Sequence, residues 1–216
     1  MRPTQRRTLA AGEGGFSLVE VVVALGILAV VATAALGFFS RSLAAEVAVQ
    51  HREAAVALAN AAMEQVRVVD PAWGTATTNG AGTQQAQGLA AGRTKAAAKA
   101  AWDASSAPEK AVTVMAWDPT ATGSSTPVVP ITSGPARVSD QDFTTTVLVG
   151  TCGRPRTSAA GDCTTAVTAS GVVLLQRVVV EVRWKPVAGT CPAAGCVYRT
   201  SALVDPNADA TWLKPS

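Results

Sequence analysis

The chain is predicted to be an α+β protein in which one long N-terminal helix packs on a small antiparallel β-sheet head. Three features predict this: a continuous apolar run over residues 16–39, an alanine-rich stretch free of Pro and Gly over residues 40–69, and valine and threonine alternation confined to the last third. With 216 residues, 48% of them hydrophobic, there is room for one folded head and an extension.

Residues 1–15 are short, basic and end in glycine, and residues 16–39 are apolar except for Ser17, Glu20 and Thr33. At about 1.5 Å per residue this helix would be roughly 36 Å long, enough to cross a hydrocarbon core of about 30 Å. A secretory signal peptide shares the positive front and the apolar core. Here, however, the run is too long, no small-x-small site closes it, and the Glu20 carboxylate sits near its start.

Residues 40–70 continue the helix. Leu43, Val47, Leu58, Ala62 and Val66 recur on one helical face, while Glu46, Arg52, Glu53, Glu64 and Arg67 mark an exposed one. The apolar stripe is expected to pack on the chain's own head, a coiled-coil partner being the alternative. Asp70 and Pro71 mark the stop.

Residues 71–135 turn to Gly, Thr, Ser, Ala and Pro and are predicted to be the loop-rich part of the head. Within them residues 90–102 suit a short helix and residues 111–117 a short strand. Pro127, Pro130 and Pro135 predict an irregular connection over 124–135.

Residues 136–216 are predicted to form the sheet, with strands over 141–149, 172–185 and 196–204 and a loosely attached tail from Asp205 in which Trp212 docks. Val178, Val180, Val182 and Trp184 alternate with Glu181, Arg183 and Lys185, the pattern of a sheet with one buried side.

Cys152, Cys163, Cys191 and Cys196 all lie in the last third. Three pairings are possible; the two local ones close short loops and suit an oxidising compartment, and a Cys191–Cys196 bridge would staple the connection between the last two strands. Neither close pair has the two-to-four-residue spacing usual for structural zinc, which leaves metal as the weaker reading.

The formal charge is +3, of which Arg2, Arg6 and Arg7 against Glu13 carry +2. Basic residues beyond Gly15 are scattered without aromatic interleaving, so no nucleic-acid platform is indicated. The single histidine, His51, is assigned to a solvated helix face, and no nucleophile elbow, Walker loop, zinc-protease or dinucleotide motif occurs. No catalytic residue, cofactor or metal site is predicted, and the chain is not read as an enzyme.

The run Gly14-Gly15-Phe16-Ser17-Leu18-Val19-Glu20-Val21-Val22-Val23-Ala24-Leu25 resembles the cleavage and methylation motif of type IV pilins and type II secretion pseudopilins. Basic leader, glycine, phenylalanine, a glutamate at the fifth mature position and an apolar run occur in that order. More weakly, residues 178–184, a turn and residues 198–204 are similar to the C-terminal strands of PilV-like minor pilins and small minor pseudopilins.

The resemblance implies a type IV pilin-like fold and a structural role as a minor pilin or pseudopilin. It implies cleavage between Gly15 and Phe16 by a prepilin peptidase and methylation of the Phe16 amine. Glu20 would face the N-terminal amine of a neighbouring subunit during assembly. The implied partners are that peptidase, other pilin or pseudopilin subunits, an inner-membrane assembly platform and membrane lipid. The implied location is the cytoplasmic membrane, crossed once with the head outside the cytoplasm, and then the pilus or pseudopilus. The rival readings are a DNA-uptake pseudopilin with a DNA-binding role and an uncleaved membrane-anchored enzyme or receptor. Gly37 lies near where many major pilins have a helix-breaking proline, so local melting there would rest on glycine alone, at about 1 kcal/mol.

Overall fold

A computed structural model describes residues 17–69, 77–79, 82–84, 88–156, 163–185, 191–192 and 195–205. The chain divides into two compact units, Met1–Val47 and Ala48–Ser216. Helix α1 (Leu18–Val68) is one unbroken element whose bounds cross that division.

In the first unit every described residue is exposed, including Leu18, Leu25, Leu28, Phe38 and Phe39. Leu43 and Val47, expected on the inward stripe, are exposed as well. The helix is nevertheless regular, because Leu, Ala and Val follow one another without a proline and each backbone donor from the second turn on finds an intrahelical acceptor.

The second unit is an α+β head. Strands β1 (Thr77–Asn79) and β2 (Gly82–Gln84) pair with each other. Helix α2 (Lys95–Ala104) and a 3-10 helix, Pro108–Val112, lead into the two-residue strand β3 (Val114–Met115). Then follow β4 (Thr132–Val138), β5 (Gln141–Pro155), β6 (Val172–Trp184) and β7 (Cys196–Val204). All pairings are antiparallel; the order is β3-β5-β6-β7, with β4 pairing the same edge of β5 as β3 does.

The core lies between the later turns of α1 and one face of this sheet. His51, Ala55, Ala59, Ala62, Met63 and Val66 are the buried helix positions. They share a cluster, His51 through its ring contact, with Phe143, Val147, Val149, Val178, Val180, Val182 and Trp184. Of the expected stripe, Ala62 and Val66 are buried and Leu58 is half-buried. Three of these six inward positions are alanine, which lets the helix lie close to a floor of bulkier valines and aromatics. His51, assigned from sequence to a solvated face, is 7% exposed with its ring edge-on to Phe143 at 6.2 Å.

Several expectations shift. Helix α2 begins at Lys95 rather than residue 90, because Thr94 is its N-cap, accepting from the Ala97 amide at 3.2 Å, and Gly92 adopts a positive φ of 73° just before it. The strand expected over 111–117 shrinks to Val114–Met115 behind the 3-10 turn. The connection expected over 124–135 gives way to β4 from Thr132; Pro135 is tolerated because it sits at the register shift between Ser133 and Ala136 on an outer strand. Ser139 and Asp140, both at positive φ, make the two-residue turn into β5.

Strand β5, expected to end at Val149, continues to Pro155 opposite Val172. The face expected to be solvated is also covered: Leu148 and Val179 are buried against Ala107, with Ala101 and Trp102 alongside. Gly150 permits this layer, since a Cβ there would lie 2.7 Å from the Val114 carbonyl oxygen and 3.1 Å from the Trp102 ring.

The structure pairs Cys152 with Cys163 and Cys191 with Cys196, at Cα separations of 5.4 and 5.2 Å. Both separations fall in the usual range for a bridge. Trp212 and the tail beyond Asp205 lie outside the described residues.

Candidate functional site

Ser17 precedes the first turn of α1, and its carbonyl accepts from the amides of Glu20 at 2.9 Å and Val21 at 3.2 Å. Glu20 thereby lies in the first helical turn, where the positive end of the helix dipole favours a carboxylate. Glu20 is exposed and has no hydrogen-bond or ion-pair partner among the described residues. Gly15 and Phe16 lie outside the described residues, so the structure places only the part of the motif from Ser17 onward.

The helix that follows is long and apolar enough to cross a membrane. Its other polar groups are satisfied within the helix itself. The Thr33 hydroxyl donates to the carbonyls of Ala29 at 3.1 Å and Val30 at 2.9 Å, and the Ser40 hydroxyl to that of Gly37 at 3.0 Å. An apolar solvent therefore imposes no unpaired hydroxyl on this segment, and Glu20 is the one ionisable group between Ser17 and Ser40. A Cβ added at Gly26 or Gly37 would meet nothing within 4 Å, so no contact among the described residues requires either glycine. The helix runs unbroken through Gly37.

Residues 11–36 match the family model described as the prokaryotic N-terminal methylation motif. The chain thus carries an N-terminal signal of the prepilin type. Together the motif and the apolar helix point to membrane anchoring. No curated protein and no solved structure matches the chain significantly.

The head contains two polar constellations that the sequence reading missed. Glu181, placed on the solvated face of β6, is 1% exposed. Its carboxylate accepts from the Ser105 hydroxyl at 2.7 Å and from Arg199 Nε at 3.0 Å, and it pairs with Arg183. Burial pushes its pKa up, but Ser105, Arg199 and Arg183 together outweigh that and hold the carboxyl below its ordinary range. Arg183 also donates to the Ala104 carbonyl at 3.0 Å and Arg199 to the Ser106 hydroxyl at 2.6 Å, so the end of α2 is tied to β6 and β7.

Arg93 is likewise 1% exposed, and its guanidinium donates to the carbonyls of Val147 at 2.8 Å and Val129 at 3.0 Å. Burial lowers its pKa to about 10, which still leaves it cationic at neutral pH. Nearby, Asp118 accepts from the Gly92 amide at 2.9 Å and from the Thr120 amide and hydroxyl at 2.8 and 2.6 Å. Burial raises the Asp118 pKa, but those donors and the Ala121 amide prevail and hold it low. Among the described residues no group of three or more His, Cys, Asp or Glu is placed to hold a metal ion.

Proposed function

We propose that the chain is the precursor of a minor pilin or pseudopilin, cut between Gly15 and Phe16 by a prepilin peptidase, methylated at Phe16, and assembled through its apolar helix into a pilus or pseudopilus. The observation that carries this reading is the methylation motif over residues 11–36 together with a helical segment, from Leu18 to Val47, whose apolar residues are all exposed among the described residues. In the precursor that helix is held by the cytoplasmic membrane with the head outside the cytoplasm, and in the filament neighbouring helices replace lipid. Gly26 and Gly37 then allow close helix approach. Leader cleavage is tested by intact mass and N-terminal peptide mass from cells with and without the peptidase. A peptidase-dependent form beginning at methylated Phe16 is expected; a chain that keeps residues 1–15 sinks the proposal.

Glu20 takes the role of neutralising the new amine of a neighbouring subunit inside the bundle. An unpaired carboxylate near the end of an apolar helix costs about 1–3 kcal/mol, which pairing offsets. Glu20→Ala is expected to leave cleavage nearly intact and to cut incorporation into sheared filaments about tenfold or more. Normal incorporation of this variant would remove the pairing role.

The DNA-binding alternative draws little support from the head. Arg183 and Arg199 are held by Glu181, Arg67 by Glu64, Arg137 by Asp140 and Lys99 by Asp103, which disperses rather than concentrates positive charge.

A further inference from the structure

Residues 94–117 leave the body of the head and return to it at a closed neck. The Asp118 amide donates to the Arg93 carbonyl and the Gly92 amide to the Asp118 carboxylate, both at 2.9 Å. On the return limb Val114 and Met115 pair with β5, and the Ala116 amide donates to the Val149 carbonyl at 3.0 Å. Beyond these anchors project α2 and the 3-10 turn, residues 95–112.

Their packing on the sheet is thin. Of the ten residues of α2 only Ala98 is buried, and none of Pro108–Val112 is. A groove of about 490 Å³ lies between α2 and the sheet, lined by Ala97, Ala100 and Ala104 from the helix and by Thr132 and Thr146 from the strands. The apolar hold is Ala107 on Leu148 and Val179, with Ala101 and Trp102 alongside. Segments with so little buried apolar contact open at lower free energy than the fold around them.

The polar hold is gathered at one point. Among the described residues every hydrogen bond from 95–112 to the sheet goes to Glu181 or to an arginine bound to it. The Ser105 hydroxyl donates to Glu181 at 2.7 Å, Arg183 donates to the Ala104 carbonyl at 3.0 Å, and Arg199 to the Ser106 hydroxyl at 2.6 Å. Other bonds of the segment are internal: Lys110 donates to the Ser105 carbonyl at 2.6 Å and to that of Trp102, and Lys99 pairs with Asp103. They tie α2 and the 3-10 turn into one body. At its two ends Thr94 and Thr113 have extended backbones, set between that body and the anchored residues.

We propose that residues 95–112 form a flap that swings about Thr94 and Thr113, with Glu181 as its latch, and that opening uncovers Leu148 and Val179 on the sheet. The test is amide hydrogen exchange of the full chain in non-ionic micelles at neutral pH, with urea kept below the unfolding transition. Amides of residues 98–105 are expected to exchange about 100-fold faster than those at the centre of the β5–β6 ladder, and with little urea dependence, because the flap exposes far less surface than unfolding does.

Two variants separate the latch from the fold. Glu181→Gln is expected to speed exchange over 98–105 about tenfold, since it weakens bonds that exist only in the closed state. Arg93→Met, whose lost bonds lie outside the flap, is expected to speed the ladder amides and leave 98–105 within about twofold of the parent. The flap is overturned if 98–105 share the rate and urea slope of the ladder, or if Arg93→Met speeds both alike. Unchanged exchange over 98–105 in Glu181→Gln overturns the latch.

Discussion

Arg93→Ala is expected to lower the unfolding free energy of the head by about 3–4 kcal/mol, through two buried carbonyls left without a donor and the volume of a long side chain left empty. The position explains the size of the effect. β4 pairs with β5 as far as Thr146, and β3 takes up pairing at Gly150, so the outer edge of β5 has a gap between two short strands. The chain bridges it with the Val147 amide donating to the Ile131 carbonyl and the Ala116 amide donating to the Val149 carbonyl. The Arg93 guanidinium supplies the missing donor to Val147 and reaches the Val129 carbonyl on the neighbouring loop.

Arg93→Met fills most of the volume without the donors and spares the cost of a buried cation, so it is expected to recover about half of the loss. Urea unfolding of the full chain in non-ionic micelles, followed by tryptophan fluorescence, measures both variants. An Arg93→Ala midpoint equal to that of the parent would show that the gap in the ladder is harmless.

Glu181→Ala is expected to cost about 2–3 kcal/mol, less than the deepest buried ion pairs because Arg183 and Arg199 can turn partly to solvent once released. The same carboxylate makes stability depend on pH. Its folded pKa is depressed below the ordinary value of 4.5, so the folded head prefers the ionised form. Its contribution is complete above that value and disappears as pH falls through the lower folded one. Unfolding titrations at pH 7 and pH 3 are therefore expected to show a larger acid loss for the parent than for Glu181→Gln, which has no proton to gain there. Equal acid losses in the two chains would remove Glu181 as the source.

The two halves of the chain differed in how openly the sequence displayed them. The N-terminal motif needs only neighbours in sequence, so Ser17, Glu20 and the apolar run were legible at once. Strand β6 was legible for a similar reason, because Val178 to Trp184 alternates without interruption. β4 was hidden by Pro135 and by a turn of Ser139 and Asp140 that lacks the glycine usual at positive φ. The extension of β5 was hidden by Gly150, Cys152 and Gly153, which carry little strand signal. Glu181 and His51 were misassigned for a common reason. A polar residue on an amphipathic element reads as solvated unless one knows what lies above it, and here the covering groups, Ser105 and Phe143, come from remote segments.

The two disulfides also bear on how the head is made. Their partners lie 11 and 5 residues apart, whereas any other pairing of the four cysteines must close a much longer loop. Shorter loops close with less loss of chain entropy. In an oxidising compartment, a chain emerging from its N-terminal end would therefore bring each cysteine to its partner before the next pair arrived. The order of emergence itself guards against scrambled bridges, and the head can acquire both before its sheet is complete.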